Sequence, residues 1–119
     1  MGGYINFLSK EDLLQKACVE YMLYQYRNKL FFHVPNEGKR TKYERFYIKV
    51  MHVLPGVSDL VFLEPEKGYN GLMIELKVKP NKPTKHQLEF LKMAHERNYY
   101  TRVIYSFDDF KKCVDWYFG

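Results

Sequence analysis

The sequence predicts an α/β fold: a mixed sheet flanked by helices, with elements in the order α-β-α-β-β-α-β-α. Three observations carry that expectation. Four short apolar runs of strand length begin at Leu30, Leu60, Gly71 and Tyr100. Between them lie segments whose apolar residues recur at helical spacing, as expected of helices with one buried face. The connecting stretches concentrate proline, glycine and asparagine, as in Pro35-Asn36-Glu37-Gly38, Pro55-Gly56 and Pro80-Asn81-Lys82-Pro83.

The first helix follows from Ser9 and Asp12, which resemble a capping box with Asp in place of Glu, and it is expected to run to around Asn28. Leu13, Ala17 and Tyr24 on one row, with Leu14, Cys18 and Tyr21 on the next, make a broad apolar face. Glu20 falls at the edge of that face, where a carboxylate is costly unless it snorkels to water or finds a partner. Leu30-Phe31-Phe32-His33-Val34 reads as a buried strand stopped by Pro35, and a turn with Lys39 and Arg40 at its exit follows. A second helix is expected from Thr41 to about His52, with Tyr43, Phe46, Tyr47 and Val50 at helical spacing. Pro55-Gly56 breaks it and leads into the strand that Asp59 precedes.

After Leu60-Val61-Phe62-Leu63, the stretch from Glu64 to Gly71 is a hairpin-like loop, longer than the tightest turns. The next strand ends on Glu75-Leu76-Lys77. Thr84 is placed to cap a helix reaching about Asn98, which packs Phe90, Leu91 and Ala94 inward and carries Gln87 on the same stripe in its first turn. Tyr100 to Tyr105 supplies the last strand and Phe107 to Phe118 the closing helix.

A chain of 119 residues suits one domain over its whole length, and 46% hydrophobic content with 28% charge predicts a folded protein. The N-terminus Met1-Gly2-Gly3-Tyr4 lacks the pattern of a signal peptide, and no apolar stretch approaches the ~18 residues of a membrane span. A soluble, cytoplasmic protein is therefore expected, with no membrane partner. Cys18 and Cys113 form no close pair, and Cys18 reads as core filler. His33, His52, His86 and His95 fall at no spacing typical of zinc ligands. No glycine-rich phosphate loop and no Ser/Cys-His arrangement appears, which argues against small-molecule chemistry. A net charge of +5 favours a polyanionic partner, although basic runs also serve as solvated faces.

The chemistry concentrates at Gly56-Val57-Ser58-Asp59-Leu60 and, sixteen residues after Asp59, at Glu75-Leu76-Lys77. Strand side chains alternate, so Met73, Glu75 and Lys77 share one face and Leu72, Ile74 and Leu76 the other. Two carboxylates and an ammonium at the ends of neighbouring apolar strands are the inventory of a magnesium-dependent phosphodiester hydrolase. Magnesium takes oxygen ligands, which Asp59, Glu75 and the backbone carbonyl of Leu76 supply. A bound cation would polarise the scissile phosphate and acidify a water, with Lys77 holding that water and stabilising developing charge. The same residues also fit a strand-starting surface Asp and an ordinary cross-strand ion pair. Lys39, Arg40, Lys42 and Arg45 on one side, and Lys77, Lys79, Lys82, Lys85 and His86 on the other, bracket the carboxylates in sequence, with Lys39, Arg40, Lys42, Lys79, Lys82 and Lys85 the candidates for DNA binding.

The ordered set of a helical Glu20, the Pro35 to Arg40 turn, Pro55-Gly56-Val57-Ser58-Asp59, Glu75-Leu76-Lys77 and Thr84-Lys85-His86-Gln87 resembles the VRR-NUC domain, a branch of the PD-(D/E)XK nuclease superfamily. The similarity covers essentially the whole chain. It implies a restriction-endonuclease-like fold and metal ligation by Asp59 and Glu75, with Lys77 as the catalytic lysine. It also implies Glu20 and Gln87 as catalytic-site residues, with Glu20 as a second-metal ligand or a group behind the ligands. Ser58 departs from the proline usual before the aspartate, Glu37 from a small residue, and Thr84-Lys85 from Ser-Pro; none removes a ligand. Stand-alone members, of phage and bacterial type, look like Mg²⁺- or Mn²⁺-dependent homodimeric endonucleases that cut branched DNA such as Holliday junctions. The alternatives are a nuclease for flaps, ends or other DNA structures, and a DNA-binding module that has lost catalysis. High aromatic content, 18%, favours an interface between two copies.

Overall fold

The structure, a computed structural model, describes residues 7–34 and 42–119. Its elements are α1 (Lys10–Gln25), β1 (Phe31–His33), α2 (Lys42–Val50), β2 (Leu60–Phe62), β3 (Leu72–Leu76), α3 (Lys85–Glu96), β4 (Tyr100–Ile104) and α4 (Phe107–Phe118), the expected order. The turn from Pro35 to Arg40, with Lys39 and Arg40, lies outside the described residues. The strands form one mixed sheet in the order β1-β2-β3-β4, antiparallel except for the β3–β4 pair. Parallel neighbours need a crossover, and α3 supplies it.

Every residue of β2 and β3 is buried because these central strands are covered on both faces, whereas β1, expected to be buried, is not: it is an edge strand, and Phe32 and His33 are exposed. On one face Leu60, Phe62, Leu72, Ile74 and Leu76 meet Cys18 and Met22 of α1 and Phe110, Val114 and Tyr117 of α4. On the other, Val61 and Met73 lie under Leu91 and Ala94 of α3. Each fully buried Leu, Ile or Phe removes apolar surface worth about 1.5–3 kcal/mol relative to exposure. This two-layered packing fixes the C-terminal end of β3, where Glu75 stands.

The helix starts follow their capping residues. The Ser9 hydroxyl accepts from the Asp12 N–H at 3.0 Å while Asp12 accepts from the Ser9 N–H at 3.0 Å. Thr84 and Gln87 form the equivalent reciprocal pair at the start of α3. The breadth of the α1 face is a correction. Leu13 and Tyr24 are 43% and 84% exposed, and the buried row is that of Cys18 and Met22. The helix also stops at Gln25, short of Asn28, since Tyr26 leaves helical geometry and donates its hydroxyl to Asp115 at 2.6 Å. Tyr21 donates to the same carboxylate at 2.7 Å, which ties α1 to α4.

The helix α2 has no buried residue and packs on no other helix or strand among the described elements. It ends with His52 in the left-handed region (φ 56°) and the Val53 N–H on the Ile48 carbonyl at 3.0 Å. Among the described residues no helix is long and apolar enough to cross a membrane.

Candidate active site

The site is built from the ends of three elements and one loop. Asp59 precedes β2, and its Oδ2 accepts from the Leu76 N–H at 2.7 Å, which pins the loop to the end of β3. The Asp59 carbonyl accepts from the Val34 N–H at 2.8 Å, so the same residue joins the exit of β1 to the entry of β2. Glu75 is 1% exposed and neither carboxylate oxygen has a hydrogen-bond partner. The ammonium of Lys77, itself 8% exposed, sits 3.7 Å from Glu75 Oε2. That is an ion-pair contact, too long for a good hydrogen bond.

A third carboxylate completes the cluster. Glu11, in the first turn of α1, offers an oxygen that lies with oxygens of Asp59 and Glu75 within 4.8 Å of one another. Burial raises the Glu75 pKa to about 9, with the neighbouring Asp59 adding to the shift and Lys77 opposing it. Burial also raises Asp59, against the Leu76 N–H and Lys77. Glu11 is raised by burial, partly offset by Lys77. Three acidic groups in so small a volume cannot all ionise beside one ammonium without a further positive charge. The orphaned oxygens of Glu75 and the all-oxygen donor set fit a hard divalent cation. Glu11, Asp59 and Glu75 are the residues that would hold it.

The cluster opens into a cleft of about 540 Å³, lined among others by Glu11, Arg45, Asp59, Lys77, His86 and Gln87. Gly56 makes this closure possible. Its φ is +76°, and a Cβ there would lie 2.4 Å from the His86 carbonyl group. The Pro55-Gly56 turn thus lies against the first turn of α3 and brings Gln87 to the cleft. Gln87 spends its Oε1 on the Thr84 N–H at 2.8 Å, so its carbonyl side serves the cap. Ser58, at the position where proline is usual, is fully buried.

The structure thus brings Asp59, Glu75, Lys77 and Gln87 to one place. Glu20 is elsewhere, and its placement at the site is corrected. It is exposed and bonded to Lys16 at 2.8 Å, whereas Glu11 joins the cluster. The reason is helical geometry: nine residues, at 100° each, put Glu20 on the side of α1 opposite Glu11. Seven and eleven residues put Cys18 and Met22, the two buried residues of α1, in line with Glu11. That alignment is the sequence signal for Glu11. Among the basic residues, Lys42, Lys79, Lys82 and Lys85 are all exposed. None of those four lines the cleft, whereas Arg45 and His86 of the same two basic clusters do.

No protein-family model and no curated protein matches the sequence. Solved structures do. One described as "VRR_NUC domain protein" is similar with a TM-score of 0.74 at 24% identity, covering 92% of this chain and 88% of that one. Another, described as "VRR_NUC domain", has a TM-score of 0.60 at 23% identity, covering 92% of this chain and 99% of its own. Fold and sheet define the restriction-endonuclease-like α/β class. Within it, the chain has the fold of the VRR_NUC domain, as the sequence resemblance implied.

Proposed function

We propose that this chain is a divalent-metal-dependent endodeoxyribonuclease acting on branched DNA, with the four-way junction as its favoured substrate, and that it works as a homodimer. The observation that carries the reading is Glu75: a fully buried carboxylate with neither oxygen hydrogen-bonded, in ion-pair contact with Lys77 and beside two further carboxylates, on the fold of VRR_NUC proteins. One ammonium does not balance three clustered carboxylates, which favours a cation-binding catalytic site over a structural ion pair.

Magnesium or manganese, when bound, would supply Lewis-acid stabilisation of the phosphate and acidify the attacking water. The chain's own residues do the rest. Asp59 is fixed by the Leu76 N–H, so one ligand oxygen is aimed before substrate arrives. Lys77 keeps its ammonium at the mouth of the acidic cluster, where it orients the nucleophilic water and faces the negative charge that builds on the phosphate. Gln87, held by Thr84, borders the same cleft. Arg45 and His86 supply further donors for the phosphates flanking the cut.

Branched substrate and homodimer rest on the resemblance and on exposed aromatic surface: Tyr24, Tyr43, Phe46, Tyr47 and Trp116 are all large, apolar and exposed. The test is cleavage of a labelled four-way junction beside linear duplex, with Mg²⁺, Mn²⁺ or EDTA, for wild type and Asp59→Ala. Metal-dependent cutting of the junction alone, lost in the variant, is the expected result. Equal cutting of linear DNA would discard the substrate assignment. Binding of the junction with no cutting under any metal would favour the alternative of a catalytically silent DNA-binding module.

A further inference from the structure

Helix α1 carries Glu11 to the carboxylate cluster, but apolar burial does little to fix the roll of that helix. Its apolar residues run nearly all round, and Leu13, Leu23 and Tyr24 stay 43%, 58% and 84% exposed. A small roll of α1 therefore trades one apolar side chain for another with little change in buried area. Within α1 only Cys18 and Met22 are buried, one small and the other among the most adaptable of core side chains. They choose the row that faces the sheet, and Glu11 lies on that row. A further roll of about 10° would still carry a side-chain end by about 1 Å, at the roughly 5–6 Å radius of a helix with its side chains. The ligands of a divalent cation tolerate about half of that.

A directional restraint sits at the other end of α1. Tyr21 and Tyr26 both donate their hydroxyls to Asp115 Oδ1 of α4, at 2.7 and 2.6 Å. Lys111 donates to Asp115 Oδ2 at 3.2 Å and holds its ammonium 5.8 Å from the centre of the Tyr21 ring. Phe107 meets the same ring edge-on at 5.6 Å. Phe107, Lys111 and Asp115 thus form one row of α4, at four-residue spacing, that clasps a side chain of α1. Tyr26 in turn packs on Phe118 at 5.2 Å. The two tyrosine bonds are short and charge-assisted. Burial alone would raise the Asp115 carboxyl, yet the bonds from Tyr26, Tyr21 and Lys111 hold it below its ordinary 3.8, so it is ionised at neutral pH. Tyr21 stands about 80° round α1 from Glu11, off the buried row, where a tether opposes roll directly.

We propose that Asp115 is a positioning residue for the cation site: by holding Tyr21 and Tyr26 it locks the roll of α1 and so aims Glu11 at Asp59 and Glu75. Of the three carboxylates, Glu11 is the one that needs this. Asp59 is aimed by the Leu76 N–H, and Glu75 is set by a strand buried along its whole length. No hydrogen bond among the described residues does the same for Glu11, whose place follows from its helix alone. Ten residues of helix, about 15 Å, separate Tyr21 from Glu11, and Asp115 does not line the catalytic cleft. Asp115 therefore acts on the site only through α1, moving as a rigid body.

The inference rests on the reading of Glu11 as a cation ligand, and the experiment separates the two. Wild type, Asp115→Ala, Glu11→Gln and the double variant are compared by Mn²⁺ titration, and by hydrogen–deuterium exchange in EDTA. Asp115→Ala should lower Mn²⁺ affinity about tenfold, and Glu11→Gln about tenfold or more. The double variant should bind within about twofold of Glu11→Gln, because a lock on a side chain that no longer ligates has nothing to aim. In EDTA, Asp115→Ala should speed exchange of the α1 amides about tenfold and leave those of α3 unchanged. The pair Tyr21→Phe and Tyr26→Phe removes both hydroxyls and keeps the carboxylate, and it stands in for Asp115→Ala if circular dichroism shows that variant unfolded. Losses that multiply in the double variant would make Asp115 a stabilising residue only and overturn the proposal. Wild-type Mn²⁺ affinity in Asp115→Ala, or α1 exchange at the wild-type rate, would overturn it too. A wild type that fails to bind Mn²⁺, or a Glu11→Gln variant that binds it as well as wild type, strikes the cation reading and the aiming with it. Exchange of α1 then still decides whether Asp115 locks the helix.

Discussion

Replacing Glu75 with glutamine should stabilise the metal-free protein. The Glu75 carboxyl has an ordinary pKa of 4.5 and is raised to about 9 in the fold, chiefly by burial and then by Asp59. Below pH 4.5 the folded and unfolded forms both carry the proton. Between 4.5 and 9 only the folded form keeps it, so unfolding releases a proton and stability falls as pH rises. At about 1.4 kcal/mol per pH unit, the loss at pH 7 reaches on the order of 3 kcal/mol. Glutamine has the shape of the protonated acid and no proton to lose. Glu75→Gln should therefore match wild type near pH 4.5 and exceed it by up to about 3 kcal/mol at pH 7. For a chain of this size that is a rise in Tm of roughly 10 °C. The assay is urea unfolding in EDTA from pH 5 to pH 8, repeated with Mn²⁺. Mn²⁺ should stabilise wild type and leave Glu75→Gln nearly unmoved. A stability difference that is absent, inverted or independent of pH would refute the reasoning.

Further expectations concern separate parts of the account. Glu11→Gln should cut metal-dependent cleavage by about 10–100-fold, while Glu20→Gln should leave it unchanged, measured as kcat/KM on the same substrate. Gly56→Ala places a methyl within 2.4 Å of the His86 carbonyl group at φ +76°, and should lower stability by about 1–3 kcal/mol in urea unfolding. Alanine at Lys42, Lys79, Lys82 or Lys85 should weaken DNA binding without changing sequence preference. Each side chain that contacts phosphate should flatten the plot of log K against log[salt] by about one unit. Slopes identical to wild type for all four would remove them from the DNA surface.

The strands were legible because apolar runs bounded by prolines and glycines have few other homes. Leu60 to Phe62 and Leu72 to Leu76 are the buried centre of the sheet, and Thr84 and Ser9 cap the helices they precede. Asp59, Glu75 and Lys77 were legible too, since strand alternation alone puts Glu75 and Lys77 on one side. The face of α1 was not. Its apolar residues run nearly all round, with Leu13, Leu23 and Tyr24 exposed, so its periodicity did not single out the buried row. Only the packing of Cys18 and Met22 against the sheet sets the rotation of α1 and selects Glu11 over Glu20. Likewise, the stripe on α2 reads as a core face, and only the tertiary structure shows that nothing in the described fold covers it.

The central claim is that Glu11, Asp59 and Glu75 hold the catalytic cation beside Lys77. A crystal soaked in Mn²⁺ and recorded at the manganese absorption edge tests it without relying on turnover. The account predicts an anomalous peak about 2.1 Å from oxygens of all three carboxylates, absent in crystals of Glu75→Gln. A peak elsewhere, or none at this cluster at millimolar Mn²⁺, would contradict it.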